Sequence, residues 1–361
     1  MLYLISLVSF LLPFQLAIHF DNFQNTVYGF RIDYLIPTLY LTDIVAILII
    51  ALGLKSFKFT RIYYVLCIMY FGFAALNIHN SLFIIPAIYK WLKVTEMLLL
   101  GIVIFNSKKF EVFNNFIKPL SYSVIIVCIL GLCQFIMKGS VGGLFYWTGE
   151  RSFSFSDANI APYPYGTFSH PNSFAGFLLV FGIFLLQLKS FFKPKYFLFL
   201  AVLVVVNLIL TNSLNVYITI VLLFILKYGS NLLFGFIPFS FSDRFVTHRI
   251  ELIQASLQII KDNFWFGVGF NNFIPNLVKV SNTFVNAWEL QPVHNIFLLT
   301  FSETGVIGLF ALCYMLYAGL TAYSLPLIAI VVTGLSDHYW LTLQQNLLLL
   351  TYVVVISKKK K

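Results

Sequence analysis

Tyr165-Gly166-Thr167-Phe168-Ser169-His170-Pro171-Asn172-Ser173-Phe174-Ala175-Gly176 runs directly into an apolar stretch that ends near residue 188. An imidazole, a Pro-Asn turn and small residues thus stand at the mouth of a membrane span, where water meets lipid. A second mouth repeats the pattern. Pro292-Val293-His294-Asn295 precedes another apolar run, with Glu303, Gly305 and Gly308 inside it. The chain has only six histidines, so two of them entering the bilayer from one side point to chemistry at the membrane surface.

Sixty percent of the 361 residues are hydrophobic and 10% are charged, with a mean hydropathy of +0.90. That excludes an ordinary soluble protein. A helix needs about 20 apolar residues to cross the hydrocarbon core, and about 17 at the least. Spans are expected near 3–19, 38–54, 62–78, 82–105, 119–137, 172–188, 196–211, 214–228, 293–313, 320–335 and 341–356. Residues 231–241 are apolar but short. The expected fold is therefore all-α, a polytopic bundle of eleven or twelve transmembrane helices forming a single integral membrane domain over 1–361. The first span has no basic n-region and no Ala-x-Ala site, so it reads as an uncleaved helix.

The net charge of +10 does not indicate nucleic acid, because of where the charges fall. Lys55, Lys58 and Arg61, then Lys108, Lys109 and Lys118, then Lys189, Lys193 and Lys195, then Lys227, then Lys358 to Lys361 occupy alternate loops. These are fourteen of the twenty-three basic residues. Alternate loops share one side, and the positive-inside rule makes that side cytoplasmic. Keeping Lys195 and Lys227 inside with 244–249 outside requires 231–241 to cross or re-enter, which favours twelve spans with both termini inside. The same topology puts His19, His79, His170, His248, His294 and His338 at the outer boundary. Cys67, Cys128, Cys133 and Cys313 all fall within spans, without metal-ligand spacing, and read as small apolar packing residues.

Two outer loops are long, 138–171 and about 242–292. From Arg249, apolar positions 250, 252, 253, 257, 259 and 260 recur at helical spacing, with Glu251, Gln254, Gln258 and Lys261 on other faces. This predicts an amphipathic helix along the membrane surface, ending at Asp262-Asn263 before Gly267-Val268-Gly269. Arg249 is expected in its first turn, where backbone N–H groups favour an anion. In the fourth span, Lys90, Lys93 and Glu96 share a face. They read either as a Lys93–Glu96 pair with a snorkelling Lys90 or as a functional group in a wet cavity. Gly305 and Gly308 read as sites of close helix packing. Glu303 lies roughly half a turn out of phase with His294 on a straight helix, so the two are not expected to pair.

An arginine near an interfacial helix grips a diphosphate bidentately. A neutral histidine at a helix mouth serves as general base toward a hydroxyl. Together they fit glycosyl transfer from a lipid-linked diphosphate sugar, outside the membrane where no nucleotide is at hand. No His-Glu-x-x-His, Gly-x-Ser-x-Gly or Walker loop is present. Asp157, Asp243 and Asp262 are dispersed, which favours a reaction without metal or other cofactor. His170 before Pro171 also reads as a simple helix cap, and Arg244 as a solvated loop charge.

These residues resemble the O-antigen ligase and O-antigen polymerase superfamily of polytopic membrane glycosyltransferases. The resemblance rests on Gly166-Thr-Phe-Ser-His170-Pro-Asn172-Ser-Phe-Ala175 and on Arg249 with the helix ending at Phe266-Gly267-Val-Gly269. It rests further on His294-Asn295-Ile-Phe-Leu298 with Glu303-Thr-Gly305-Val-Ile-Gly308, so that it covers roughly 150–350. Asp337-His338-Tyr339-Trp340 before Gln344-Gln345 looks like a subgroup feature. The resemblance implies a type C glycosyltransferase-like fold with a large extracytoplasmic loop, in the cytoplasmic (inner) membrane. It implies roles in diphosphate handling and catalysis for Arg249 and His294. Arg151, His170, Arg244, Asn172 and Asn295 are the remaining candidates for binding substrate. The family's second arginine, just before the Gly-Thr-Phe segment, is replaced here by Ala161-Pro-Tyr-Pro-Tyr165, and Arg151 is its nearest substitute. The implied partners are a polyprenyl-diphosphate-linked glycan, a hydroxyl-bearing acceptor and membrane lipids. A polymerase joining two lipid-linked repeats is the chemical neighbour of this reading. A transporter or flippase of lipid-linked sugars is the rival, and broken helices at mid-membrane would favour it.

Overall fold

A computed structural model describes residues 1–55, 60–156, 161–228, 243–281, 284, 286–320 and 324–359. Lys58, Asp157, Lys360, Lys361 and the 231–241 segment lie outside them. The chain is an all-α polytopic membrane protein. Its helices are α1 (Leu2–Leu11), α2 (Leu41–Leu54), α3 (Arg61–His79), α4 (Ile84–Asn106), α5 (Lys118–Met137), α6 (Pro171–Gln187) and α7 (Pro194–Leu210). The series continues with α8 (Leu214–Tyr228), α9 (Asp243–Asp262), α10 (Phe273–Val280), α11 (Ile296–Gly319), α12 (Leu325–Gly334), α13 (Tyr339–Thr342) and α14 (Gln344–Lys359). Each of the eleven expected spans has a helical counterpart in order. Among the described residues, Arg61–His79, Val112–Met137 and Ile296–Gly319 are long and apolar enough to cross a membrane. The 23-residue α4 carries Lys90, Lys93 and Glu96, and the other apolar helices are shorter.

Proline explains several of these boundaries, because it fits a first helical turn and disrupts an interior. Pro171, Pro194 and Pro326 stand at such starts. Pro13 has the opposite effect. The expected 3–19 span stops at Leu11, and Ala17–His19 (β1) pairs antiparallel with Thr38–Tyr40 (β4), the strand that feeds α2. A second small hairpin, Thr26–Val27 (β2) with Phe30–Arg31 (β3), lies between them. The other expected spans near the C-terminus also shorten: α12 starts at Leu325, and a break at Leu343 separates α13 from α14.

The main core lies between α1, α2, α4, α5, α6, α12 and α14. Without a hydrophobic drive between helices in lipid, small residues and interhelical hydrogen bonds matter most. Asn207 of α7 shows both. Its amide donates to Cys128 O at 3.1 Å, across a gap left open by Gly131 of α5. A smaller core forms a cap at one end, where Leu252, Ala255 and Ile259 of α9 meet Phe273, Ile274 and Leu277 of α10 and Val27, Ile32 and Leu35 of the N-terminal segment. The amphipathic helix α9 begins six residues earlier than the sequence suggested, at Asp243. An acidic residue suits a helix start, and Arg249 consequently sits in the second turn. The expected contact between Arg249 and free N–H groups at the helix end does not arise.

The cap is spliced into α11. Gly305 adopts φ 65°, ψ −170° and breaks that helix in its interior, in a region that is essentially glycine-only. The 264–269 segment fills the break. Val268 N donates to Ser302 O (3.0 Å), Gly269 N to Glu303 O (2.9 Å), and Val306 N to Phe264 O (2.9 Å). A Cβ on Gly305 would lie 2.2 Å from Trp265 O, and one on Gly267 2.3 Å from the Glu303 carbonyl carbon. Gly305 therefore breaks a helix rather than merely easing helix contact. The reason is that two backbones, not two helix faces, meet there.

Candidate active site

The N-terminal ends of α6 and α11 and the α12–α13 connection meet around Asp337. His170 is the N-cap of α6, its Nδ1 accepting from Asn172 N at 3.1 Å. Capping occupies one ring nitrogen of His170 while the residue stays exposed on the site's surface. Asn295 caps α11. Its Oδ1 accepts from Phe297 N (2.9 Å) and Leu298 N (3.0 Å), and its Nδ2 donates to Leu335 O (2.9 Å). Both ends of that side chain are thus committed to fixing the helix against the α12–α13 connection. Its neighbour His294 is set in place as a result.

Asp337 is 5% exposed and collects the rest. Its Oδ1 lies 3.7 Å from His294 Nδ1 and accepts from His338 N at 2.8 Å. Its Oδ2 accepts from Asn172 Nδ2 at 3.3 Å. The rings of His294 and His338 stand 5.1 Å apart. His294 Nε2 faces Gln291 Oε1 at 3.2 Å, and His338 Nδ1 pairs with Thr342 Oγ1 at 2.9 Å. Burial alone would raise the Asp337 carboxyl, but the neighbouring His294, with His338 and His170, holds it well below the usual carboxylate range. Burial, reinforced by the charge of His294, pushes His338 down to about 3. At neutral pH the cluster therefore contains a carboxylate and a neutral His338.

Arg249 reaches this cluster from α9, its Nη1 donating to Ser336 O at 3.2 Å, one residue before Asp337. Arg151, exposed, lies on the other flank with Nη1 3.4 Å from Ser169 O, beside His170. Its neighbour Glu150 is buried and fixes this stretch: its carboxylate accepts from Val141 N, Gly142 N and Gln134 Nε2 at 2.7–2.9 Å. Gln134 Oε1 in turn accepts from Tyr165 N and Gly166 N. The structure thus brings together His170, Asn172, Arg151, Arg249 and His294, with Asn295 as their support. Arg244 belongs to the first turn of α9, and its side chain lies outside what the structure describes.

Sequence reasoning did not include Asp337 and His338 among the site residues. The available signal was an Asp–His pair interrupting two apolar runs at a third mouth of the bundle. Packing explains how that mouth arrives. Gly176 of α6 leaves room for Tyr339, whose hydroxyl would lie 2.2 Å from a Cβ there. Trp340 Nε1 donates to Thr333 Oγ1 at 2.8 Å. One set of potential metal ligands, a single carboxylate with two imidazoles, was not named by the sequence reading. Ligand atoms of His294, Asp337 and His338 lie within 4.8 Å of one another, a set able to hold a metal ion. Asp157, Asp243 and Asp262 are far apart in sequence, and Asp337 gathers imidazoles from two other elements. Glu303 is not part of this site: its carboxylate accepts from Tyr34 OH and from Phe273 N at 3.3 Å.

In a comparison with protein-family models, residues 166–313 match the model described as O-antigen ligase. The matched stretch is narrower than the 150–350 of the sequence resemblance. It contains His170, Asn172, Arg249, His294 and Asn295, whereas Arg151, Asp337 and His338 lie outside it. No curated protein matches the chain. Over residues 166–313 this membrane protein is thus similar to the O-antigen ligase family of glycosyltransferase-like enzymes, in agreement with the resemblance read from its motifs.

Proposed function

We propose that this protein transfers a glycan from a polyprenyl-diphosphate donor to an acceptor hydroxyl, at the outer face of the cytoplasmic membrane, as a ligase-type step of polysaccharide biosynthesis. The observation that carries this reading is the convergence of His294 and Asp337 with Arg249 and Arg151 at one helix mouth. His294 removes the proton of the acceptor hydroxyl as that oxygen attacks the anomeric carbon. The bond from that carbon to the diphosphate breaks, and polyprenyl diphosphate leaves with its electron pair. Asp337, 3.7 Å from His294 Nδ1, stabilises the imidazolium once it forms. Arg249 and Arg151 hold the diphosphate, with charge-assisted contacts that a planar guanidinium makes better than an ammonium. His170 and Asn172 line the same mouth and contribute to substrate binding.

The step is proposed to run without a metal. Asp337 already accepts from His338 N and Asn172, and His338 Nδ1 is paired with Thr342, so these groups serve one another. The positive loops 55–61, 108–118, 189–195 and 358–361 would face the cytoplasm, with both termini inside. The broken helix α11 is a feature that favours a transporter. Its freed backbone groups, however, are bonded by the 264–269 segment rather than offered to a cavity.

Reconstituted protein, labelled polyprenyl-diphosphate glycan and a panel of hydroxyl acceptors test the proposal. The expected result is label in an acceptor product with release of polyprenyl diphosphate, insensitive to chelation. Label crossing the vesicle with the donor intact would establish transport instead. Activity abolished by chelator and restored by a divalent ion would reassign His294, Asp337 and His338 as metal ligands.

A further inference from the structure

A cavity of about 60 Å³ lies beneath the 33–40 segment, against α4 and the break between α13 and α14. Ten of its twelve lining side chains are polar, among them Tyr89, Lys90, Lys93, Asn271, Thr342 and Gln344. One water needs about 10–15 Å³ of such space, so the cavity has room for about four to six. One side chain links it to the neighbourhood of the reacting groups. Thr342, on its wall, bonds His338 Nδ1 at 2.9 Å, and the His338 ring is 5.1 Å from that of His294. Lys90 and Lys93 are 8% and 6% exposed, so neither snorkels to the interface. Lys90 Nζ donates to Leu341 O, at the end of α13. Nothing in the proposed transfer step uses these lysines.

The charges decide what fits. Lys93 is ion-paired with Asp43 and, at 3.8 Å, with Glu96. Lys90 interacts electrostatically with Glu303, and Asp33 adds another carboxylate to the wall. Each lysine of the cavity therefore faces an acidic side chain, whereas at the mouth Arg151 and Arg249 contact only backbone carbonyls among the described residues. The cavity's donors and acceptors are mixed and held within fixed helices. A vicinal set of hydroxyls, each donating and accepting, replaces the hydrogen bonds of such waters without leaving polar groups unpaired. A phosphate, which only accepts, does not.

We propose that this cavity binds the hydroxylated edge of a neutral or amino-bearing sugar of the glycan substrates, connected to His294 through Thr342 and His338. The inference rests on the glycosyl-transfer reading and adds to it the site that selects the sugar. Acceptor and donor sugars share this chemistry, and kinetics separate them. Purified full-length protein is titrated with methyl glycosides of neutral hexoses, of 2-amino hexoses and with hexose phosphates, by saturation-transfer NMR. Leu347→Phe fills the cavity from its apolar wall, and Tyr89→Phe removes one hydroxyl while keeping the ring. Neutral or amino glycosides should bind at about millimolar affinity, and Leu347→Phe should weaken them about tenfold or more, at an unchanged melting temperature. If Leu347→Phe does not fold, Tyr89→Phe decides, with an expected weakening of about fivefold. In the transfer assay the same variants should raise KM for acceptor or for donor, and whichever rises identifies the sugar. Hexose phosphates binding as well as neutral glycosides, or glycoside binding unaffected by both variants, would overturn the proposal. Absence of transfer by wild-type protein would instead overturn the glycosyl-transfer reading, since the binding arm does not depend on turnover.

Discussion

Two of the polar clusters among the described residues, those around Glu303 and Asp337, are built on opposite principles. Around Glu303 the polar groups are paired closely. Asn77 Nδ2 donates to Phe266 O (2.7 Å) and Glu303 O (2.8 Å), while its Oδ1 accepts from Trp91 Nε1 (2.8 Å) and Phe270 N (3.1 Å). Tyr34 and Phe273 N satisfy the Glu303 carboxylate. Around Asp337 the fit is looser. His294 Nδ1 is buried at 3.7 Å from the carboxylate with no hydrogen-bond partner among the described residues. A buried polar atom left unpaired costs about 1–3 kcal/mol, which a purely structural cluster has no reason to retain. The saturated cluster holds backbone together, and the unsaturated one has capacity left for a substrate.

That contrast predicts that damage to one cluster appears as lost turnover and damage to the other as lost stability. The largest effect should come from His294→Ala. General-base catalysis contributes about 10²–10⁴-fold in rate, and transfer should fall by that factor while donor binding and the melting temperature stay near wild type. Full turnover by this variant would remove His294 from the reaction. Next comes Gly305→Ala on the structural side. Forcing a side chain into that backbone region costs about 1–3 kcal/mol, and the 2.2 Å approach to Trp265 O adds to it. Thermal denaturation in detergent should show a clearly lowered midpoint. An unchanged midpoint would mean that the splice between α11 and the 264–269 segment does not secure the fold.

Arg249→Lys sharpens the comparison from the other direction. It keeps the charge and loses the planar fork, so the KM for donor should rise by about tenfold, a change of about 1.4 kcal/mol. Normal donor affinity would show that the anion is held elsewhere, with Arg151 the next candidate. The smallest effect is expected for Thr342→Val, which deletes the partner of His338 Nδ1. One lost hydrogen bond is worth about 1 kcal/mol, so transfer should slow a few-fold with little change in melting. A loss as large as that of His294→Ala would make His338 a reacting group and not a neighbour.

Much of the bundle was legible in advance because hydropathy reports directly on where a chain can lie in lipid. The helices of the eleven apolar runs, the α9 amphipathicity and the two histidine mouths at 170 and 294 all follow from composition and period. Sequence placed Gly267, Gly269 and Gly305 but read Gly305 as a packing residue. Only in three dimensions does a helix break to admit a loop from forty residues earlier. Asn295, assigned to substrate, turns out to spend both ends of its amide on α11 and Leu335 O.

The sequence by itself determined a polytopic helical membrane protein with histidines and arginines gathered at particular helix mouths. It also supplied the O-antigen ligase resemblance, because motif order and apolar period are local properties of the chain. Tertiary structure decided which mouths meet. Asp337 lies 43 residues beyond His294 and 167 beyond His170 in sequence, and no periodicity connects residues so far apart. Gly176 admitting Tyr339, Arg249 reaching Ser336 and the cap spliced into α11 bring them within contact distance. Packing between helices has no counterpart in linear spacing, and the partner of His294 was fixed there.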